Sequence, residues 1–203
     1  MRSGLPICTP GQYFGELQKA ASRMPYAEIE TAISTLNQAC ETAHTVFLCG
    51  NGGSAALASH FACDLGKGVS HYSPGARFRV VSLADNVPTI TAWANDASYD
   101  EIFAEPLSNL VQPDDVLIAI SGSGNSRNIL RAAEVAGAAG ALTIGLTGFE
   151  GGKLKPLCDI CVVVPSDNMQ IIEDLHVSIT HAIFTVITNA RRKGIKAVAA
   201  AGD

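Results

Sequence analysis

From residue 45 onward the chain alternates short runs of mostly apolar residues with longer stretches of mixed polarity. The runs are Thr45-Val46-Phe47-Leu48-Cys49, Arg79-Val80-Val81-Ser82-Leu83, Val116-Leu117-Ile118-Ala119-Ile120, Leu142-Thr143-Ile144-Gly145-Leu146 and Ile160-Cys161-Val162-Val163-Val164. Strands that are apolar on both faces belong in a parallel sheet covered by helices on both sides. A helical stretch from Ser54 to about Lys67 follows the first run, and most of the other runs are separated in the same way. Upstream, Ile29, Ile33 and Leu36 fall at helical spacing, which predicts two helices that break near Pro25. The last element, from about Met169 to Arg191, carries Ile171, Ile172, Leu175, Ile179, Ile183 and Val186 among acids and histidines and reads as one long helix. The expectation is a single doubly wound α/β domain over residues 1–203, with a five-stranded parallel sheet. Its core spans about 40–190, its N-terminal helices about 10–43, and its first and last helices suit an intersubunit bundle.

Composition narrows the function. The chain is 47% hydrophobic and only 16% charged, with a net charge of -5. Aromatics are 6%, and the sole basic cluster is Arg191-Arg192-Lys193, so nucleic-acid binding is disfavoured. Met1-Arg2-Ser3-Gly4-Leu5-Pro6-Ile7-Cys8 has no apolar run behind the arginine, which argues against a signal peptide, and no segment is expected to span a membrane. A cytoplasmic protein is expected. Cys40, Cys49, Cys63, Cys158 and Cys161 lie in apolar segments, where reduced thiols act as small hydrophobes. Cys158-Asp159-Ile160-Cys161 fits C-x-x-C, but it lacks a second pair and runs into a strand, so it reads as core.

In an open parallel sheet, ligands bind beyond the carboxyl ends of the strands. The first run ends in Gly50-Asn51-Gly52-Gly53-Ser54, where glycines let backbone amides approach a ligand at a helix start. The third ends in Ser121-Gly122-Ser123-Gly124-Asn125-Ser126, whose hydroxyls and amides make a phosphate cradle that needs no lysine. Gly50, Gly52 and Ala55 also match G-x-G-x-x-A, but no acidic residue follows at the distance of roughly 20 residues that dinucleotide binding requires. Around Lys153 the P-loop pattern fails at Leu154.

The second constellation is ionisable. His60 and Asp64 are one helical turn apart after the glycine loop, and Glu173, Asp174, His176 and His181 lie on the last helix. Two histidines and two carboxylates drawn from these suit Zn²⁺ or another divalent ion able to polarise a carbonyl. Spacing alone does not choose between Glu173 and Asp174. His44 and His71 read as structural.

The ordered set formed by Gly50 to Ser54, His60-Phe61-Ala62, Ala94-Asn95-Asp96, Ser121 to Ser126, Leu146-Thr147-Gly148 with Gly151-Gly152, and the late Glu-Asp-x-His helix resembles the phosphoheptose isomerase family over about residues 13–187. The resemblance implies a sugar-isomerase (SIS) fold and a homotetramer. It also implies conversion of sedoheptulose 7-phosphate into D-glycero-D-manno-heptose 7-phosphate, on the route to activated heptose for cell-surface polysaccharide. It further implies that Asn51, Gly52, Gly53, Asn95, Asp96, Ser121, Gly122, Ser123 and Ser126 contact the sugar phosphate, with Ser54 beside them. His60, Asp64, Glu173 and His181 fall at its zinc positions, and Asp64, Glu173 and His181 are the expected catalytic groups. Two positions depart from the family pattern: Asp64 replaces a glutamate and Glu173 a glutamine. A metal-free branch of the same fold regulates replication initiation, and His60, Asp64 and His181 argue against that branch.

Overall fold

The computed structural model describes residues 7–72 and 75–200, with side-chain surroundings defined as far as Lys193. Residues 1–6, on which the reading against a signal peptide largely rests, lie outside the described residues. Helix α1 (Pro10–Ala21) starts at a reciprocal cap. Thr9 Oγ1 accepts from Gln12 N, Gln12 Oε1 accepts from Thr9 N, and Pro10 occupies the first turn, where its missing N–H costs nothing. Helix α2 (Tyr26–Glu41) begins just after Pro25, as the spacing predicts.

The sheet then forms from β1 (Thr45–Gly50), β2 (Arg79–Ser82), β3 (Val116–Ile120), β4 (Leu142–Thr147) and β5 (Ile160–Val163), all parallel, in the order β2-β1-β3-β4-β5. Alternate residues serve opposite cores. Val46, Leu48, Val116, Ile118 and Ile120 pack with α1, α2 and the last helix, while Phe47, Cys49, Leu117 and Ala119 pack with the helices on the other face. All five residues of β3 are buried, at roughly 1.5–3 kcal/mol for each large side chain. This strand anchors the sheet.

The chain leaves β1 toward β2 on one side, while β3, β4 and β5 extend the sheet on the other, so the order reverses between β1 and β3. The carboxyl ends of these two neighbours therefore open onto one crevice. Helix α3 (Gly53–Cys63) follows β1, and helix α7 (Arg127–Ala138) follows β3.

The expected single helix from Ser54 to Lys67 is interrupted. After α3 the chain widens into a π-helical stretch, Asp64–Val69, before the short α4 (Ser70–Tyr72). Gly66 and Gly68 lie within it; a Cβ on Gly66 would stand 3.0 Å from Val80, and one on Gly68 2.8 Å from the ring of Phe184. Glycine favours the α-helix weakly, and here its lack of a side chain lets the widened turn press against β2 and the last helix.

Helices α5 (Val87–Asp96) and α6 (Ala104–Ser108) precede β3, and α8 (Met169–Ala200) closes the structure. Contrary to the sequence expectation, α8 has a segment, Met169–Lys193, that is long and apolar enough to cross a membrane, with a mean hydropathy of 1.3. Half of that apolar window is buried. Ile171, Ile172, Leu175, Ile179, Ile183 and Ile187 form its inward stripe against the sheet, which accounts for the hydropathy.

Candidate active site

The two loops at the crevice are built from the main chain. At the end of β1, a Cβ on Gly50 would collide with the carbonyl of Ser54, and Gly52 has a φ of +55°, so the turn into α3 requires glycine at both places. After β3, the serine loop is strapped from behind by residues 148–154. Gly148 N–H donates to Gly122 O (2.9 Å) and Leu154 N–H to Gly124 O (2.9 Å). A carbonyl and the next N–H point in opposite directions across a planar peptide, so tying Gly122 O to the strap turns Ser123 N–H away from the strap. Gly124 (φ +64°) would collide with the Gly151 carbonyl if it carried a Cβ, and a Cβ on Gly152 (φ +57°) would lie 2.5 Å from Ser123 O. Ser121 Oγ donates to Ser126 Oγ (3.3 Å). No side chain caps the first turn of α3 or α7, which leaves two positive helix ends facing the crevice.

A partly buried amide pair couples the loops. Asn51 Nδ2 donates to Asn128 Oδ1 (2.9 Å), Asn128 Nδ2 donates to Asn51 Oδ1 (2.8 Å), and Tyr99 Oη adds a third bond to Asn51 Oδ1 (3.1 Å). The side chain expected to touch substrate is thus committed to holding β1's loop against α7. Asn128 and Tyr99 were not found from the sequence. Asn128 reads there as one more polar residue in a helical first turn, and its 2% exposure is visible only once the helix is docked. Asn95 and Asp96 end α5 on the exposed rim, bonded to each other at 2.7 Å. Ser54 is buried in the first turn of α3.

Helix α8 runs past both loops. A Cβ on Gly122 would meet Met169 Sδ at 2.5 Å, and one on Gly53 would meet Glu173 Oε2 at 3.5 Å. Two turns beyond, His181 Nε2 lies 3.5 Å from His60 Nε2, which lies 3.6 Å from Asp64 Oδ2. The ligand atoms of His60, Asp64 and His181 all fall within 4.8 Å of one another. Donors bound tetrahedrally at about 2.1 Å are separated by about 3.4 Å, close to the two distances measured at His60, so the cluster suits a divalent ion, and the half-exposed His60 leaves it open to a further ligand.

Of the six metal-capable groups read from the sequence, the structure gathers these three. Glu173 stands beside Gly53, eight residues and about 12 Å of helix before His181. Asp174 accepts a hydrogen bond from Tyr13 Oη (2.6 Å), and that bond, with the nearby carboxylates, raises the tyrosine to about 12. His176 is buried, with Nε2 donating to Thr147 O (3.1 Å), and burial lowers its pKa to about 4. It is a neutral core histidine. Tyr13, on a distant helix, gave no signal in the sequence.

A family model described as SIS domain matches residues 12–148. A phosphoheptose isomerase of Aliarcobacter butzleri is 40% identical over 162 residues, covering 79% of this chain and 84% of the relative. The chain belongs to the phosphoheptose isomerase family of SIS domains. Among solved structures, the phosphoheptose isomerase of Francisella tularensis superposes with a TM-score of 0.81 at 33% identity, covering 88% of this chain and 96% of that one. The phosphoheptose isomerase of Neisseria gonorrhoeae matches with the same TM-score and coverage at 29% identity. Both superpose over most of their length, so the fold expected from the alternating runs is the family's fold.

Proposed function

We propose that the protein is an aldose–ketose isomerase that converts sedoheptulose 7-phosphate into D-glycero-D-manno-heptose 7-phosphate. The observation that carries this reading is the sequence of groups met along α8: the serine loop at Met169, Glu173 beside the glycine loop, and the His60–Asp64–His181 cluster farther on. A substrate with an anion at one end and its reacting carbonyl at the other needs that order. Ser121, Ser123 and Ser126, with the amide of Gly122 and the N-terminus of α7, hold the phosphate. Gly52, Gly53 and Ser54 lie along the chain of hydroxyls, with Asn95 and Asp96 at the rim. Fixing the remote phosphate orients the reacting carbons.

Isomerisation moves a proton between adjacent carbons through an enediolate. Glu173 or Asp64 takes and returns that proton, and His181 serves the oxygens. His60, Asp64 and His181 would hold a divalent ion, Zn²⁺ on their donor chemistry, whereas Glu173, expected as a fourth ligand, stands apart beside Gly53 in the same chain. When bound, the ion supplies Lewis-acid polarisation of the carbonyl. Copies associate into a tetramer through α1 and α8, where Phe14 is 65% and Val186 48% exposed.

The test is turnover of sedoheptulose 7-phosphate by Asp64→Asn, Glu173→Gln and His181→Ala proteins, with bound metal measured alongside. Each is expected to lose roughly 100-fold or more in kcat while still binding the sugar phosphate. Full activity in all three, or in metal-stripped protein, overturns the mechanism. Thermal stabilisation by sugar phosphate without any turnover by the unaltered protein would mark a sensor instead of an enzyme.

A further inference from the structure

Cys158 and Cys161 lie at the far edge of the sheet, away from the groups used above. The sequence reads them as core thiols, yet in the structure both are only partly buried, whereas Cys40 and Cys49 are buried. Cys158 ends the 3-10 turn Lys155–Leu157, and Cys161 lies on β5, in register with Gly145 of β4. A Cβ on Gly145 would stand 2.7 Å from Cys158 Sγ and 3.3 Å from Cys161 Sγ, so the two sulfurs share the space that any other residue at 145 would fill. Each thiol's titration is governed chiefly by the other.

The intervening turn is pinned. Asp159 Oδ2 accepts from Thr143 N (2.8 Å), and Asp159 N–H donates to Thr143 O (3.0 Å), which holds the Cys158 end of the C-x-x-C against β4, while strand pairing holds Cys161 beside Gly145. Cys161 Sγ also contacts Thr147 Oγ1 at 3.6 Å. The two sulfurs thus flank one Cβ-sized space on the same side of the sheet edge.

We propose that Cys158 and Cys161 form a hydroperoxide-reactive dithiol that closes reversibly into a disulfide over Gly145. Cys161 is the attacking sulfur. The Cys158 thiol beside it pulls its pKa below the ordinary thiol range, aided by Thr147 and Lys155, while Cys161 in turn, burial and Asp159 push Cys158 up. The Cys161 thiolate attacks one oxygen of the hydroperoxide, forms an S–O bond and expels hydroxide or alkoxide, giving a sulfenic acid. The Cys158 sulfur then attacks Cys161, the S–S bond forms, and the sulfenic oxygen leaves as water with the Cys158 proton. Sulfur is oxidised by two electrons, which reduce the peroxide O–O bond. A dithiol reductant reverses the step.

The experiment treats the full-length, reduced protein with stoichiometric hydrogen peroxide at neutral pH. Intact mass is then measured, followed by a non-reducing peptide map. The expected result is the loss of two hydrogen atoms, a Cys158–Cys161 cross-link within one chain, and full reversal by dithiothreitol. In Cys158→Ser protein the resolving thiol is gone, and dimedone added with the peroxide is expected to label Cys161 roughly tenfold faster than the exposed Cys63. Oxidation of Cys8 or Cys63 while Cys158 and Cys161 remain reduced overturns the proposal, as does conversion of Cys161 to a sulfinic acid without any cross-link. The peptide map of the unaltered protein decides the question even where a variant fails to fold. Because it reads no turnover, it stands apart from the isomerase assay.

Discussion

At the serine loop the main chain carries the strap: Gly148 N–H to Gly122 O, Leu154 N–H to Gly124 O, and glycines at 124 and 152 whose missing side chains let two loops touch, with the side chains of Ser121, Ser123 and Asn125 adding local bonds. At the histidine cluster, farther along the same helix, the convergence is entirely one of side chains: His60 and Asp64 from one helical run and His181 from another. The first region is stiff because its geometry is the backbone's own. The second depends on how two helices are rotated against each other, and its groups stay partly open to solvent. An anion cradle and a reactive cluster make opposite demands on rigidity, and one fold meets both by assigning each to a different kind of contact.

The difference predicts how each region fails. His60→Ala is expected to cost roughly 100-fold or more in turnover and to lower metal content, while the urea midpoint stays within error, because His60 is half exposed. Gly124→Ala should do the reverse. A Cβ at φ +64° against Gly151 O is expected to cost roughly 2–4 kcal/mol of stability, read by denaturant unfolding, and to abolish stabilisation by sugar phosphate.

Between the regions, His176 supplies a pH signature. Its folded pKa, about 4, lies below the ordinary 6.5, so the unfolded chain binds the extra proton between these values. The stability it contributes is present above pH 6.5 and lost as pH falls toward 4, on the order of 3 kcal/mol in all. His176→Gln should flatten that part of the stability–pH curve. Asn128→Ala is expected to cost about 1–3 kcal/mol by orphaning Asn51, and to raise KM more than it lowers kcat. The smallest effect is at Tyr13. Its phenol should titrate near pH 12 by ultraviolet absorbance and return toward 10 in Asp174→Asn protein.

The same distinction explains what could be read from the sequence. The strands announce themselves as apolar runs, with β1, β3 and β4 buried almost throughout, and the two ligand loops because main-chain sites need glycine, which is visible as a letter. The choice between Glu173 and Asp174 is not visible. It depends on the rotation of α8, which is set by Ile171, Ile172 and Leu175 docking on a sheet built from distant residues. That rotation sends Asp174 to Tyr13 and Glu173 toward Gly53. Asn128 escaped for a related reason: an amide that bridges two loops looks the same in sequence as one that faces water.

The widened stretch Asp64–Val69 has a consequence for what the chain tolerates. A π-turn accommodates one residue more than the α-turn it replaces, so this stretch behaves as a single-residue insertion lodged just after His60. Deleting one residue there would leave His60 in place but swing everything beyond it by about 100°. Gly68 would no longer face Phe184, and a bulkier neighbour would be driven against the ring. Chain length at this point, and not composition alone, keeps α3 and α8 in step.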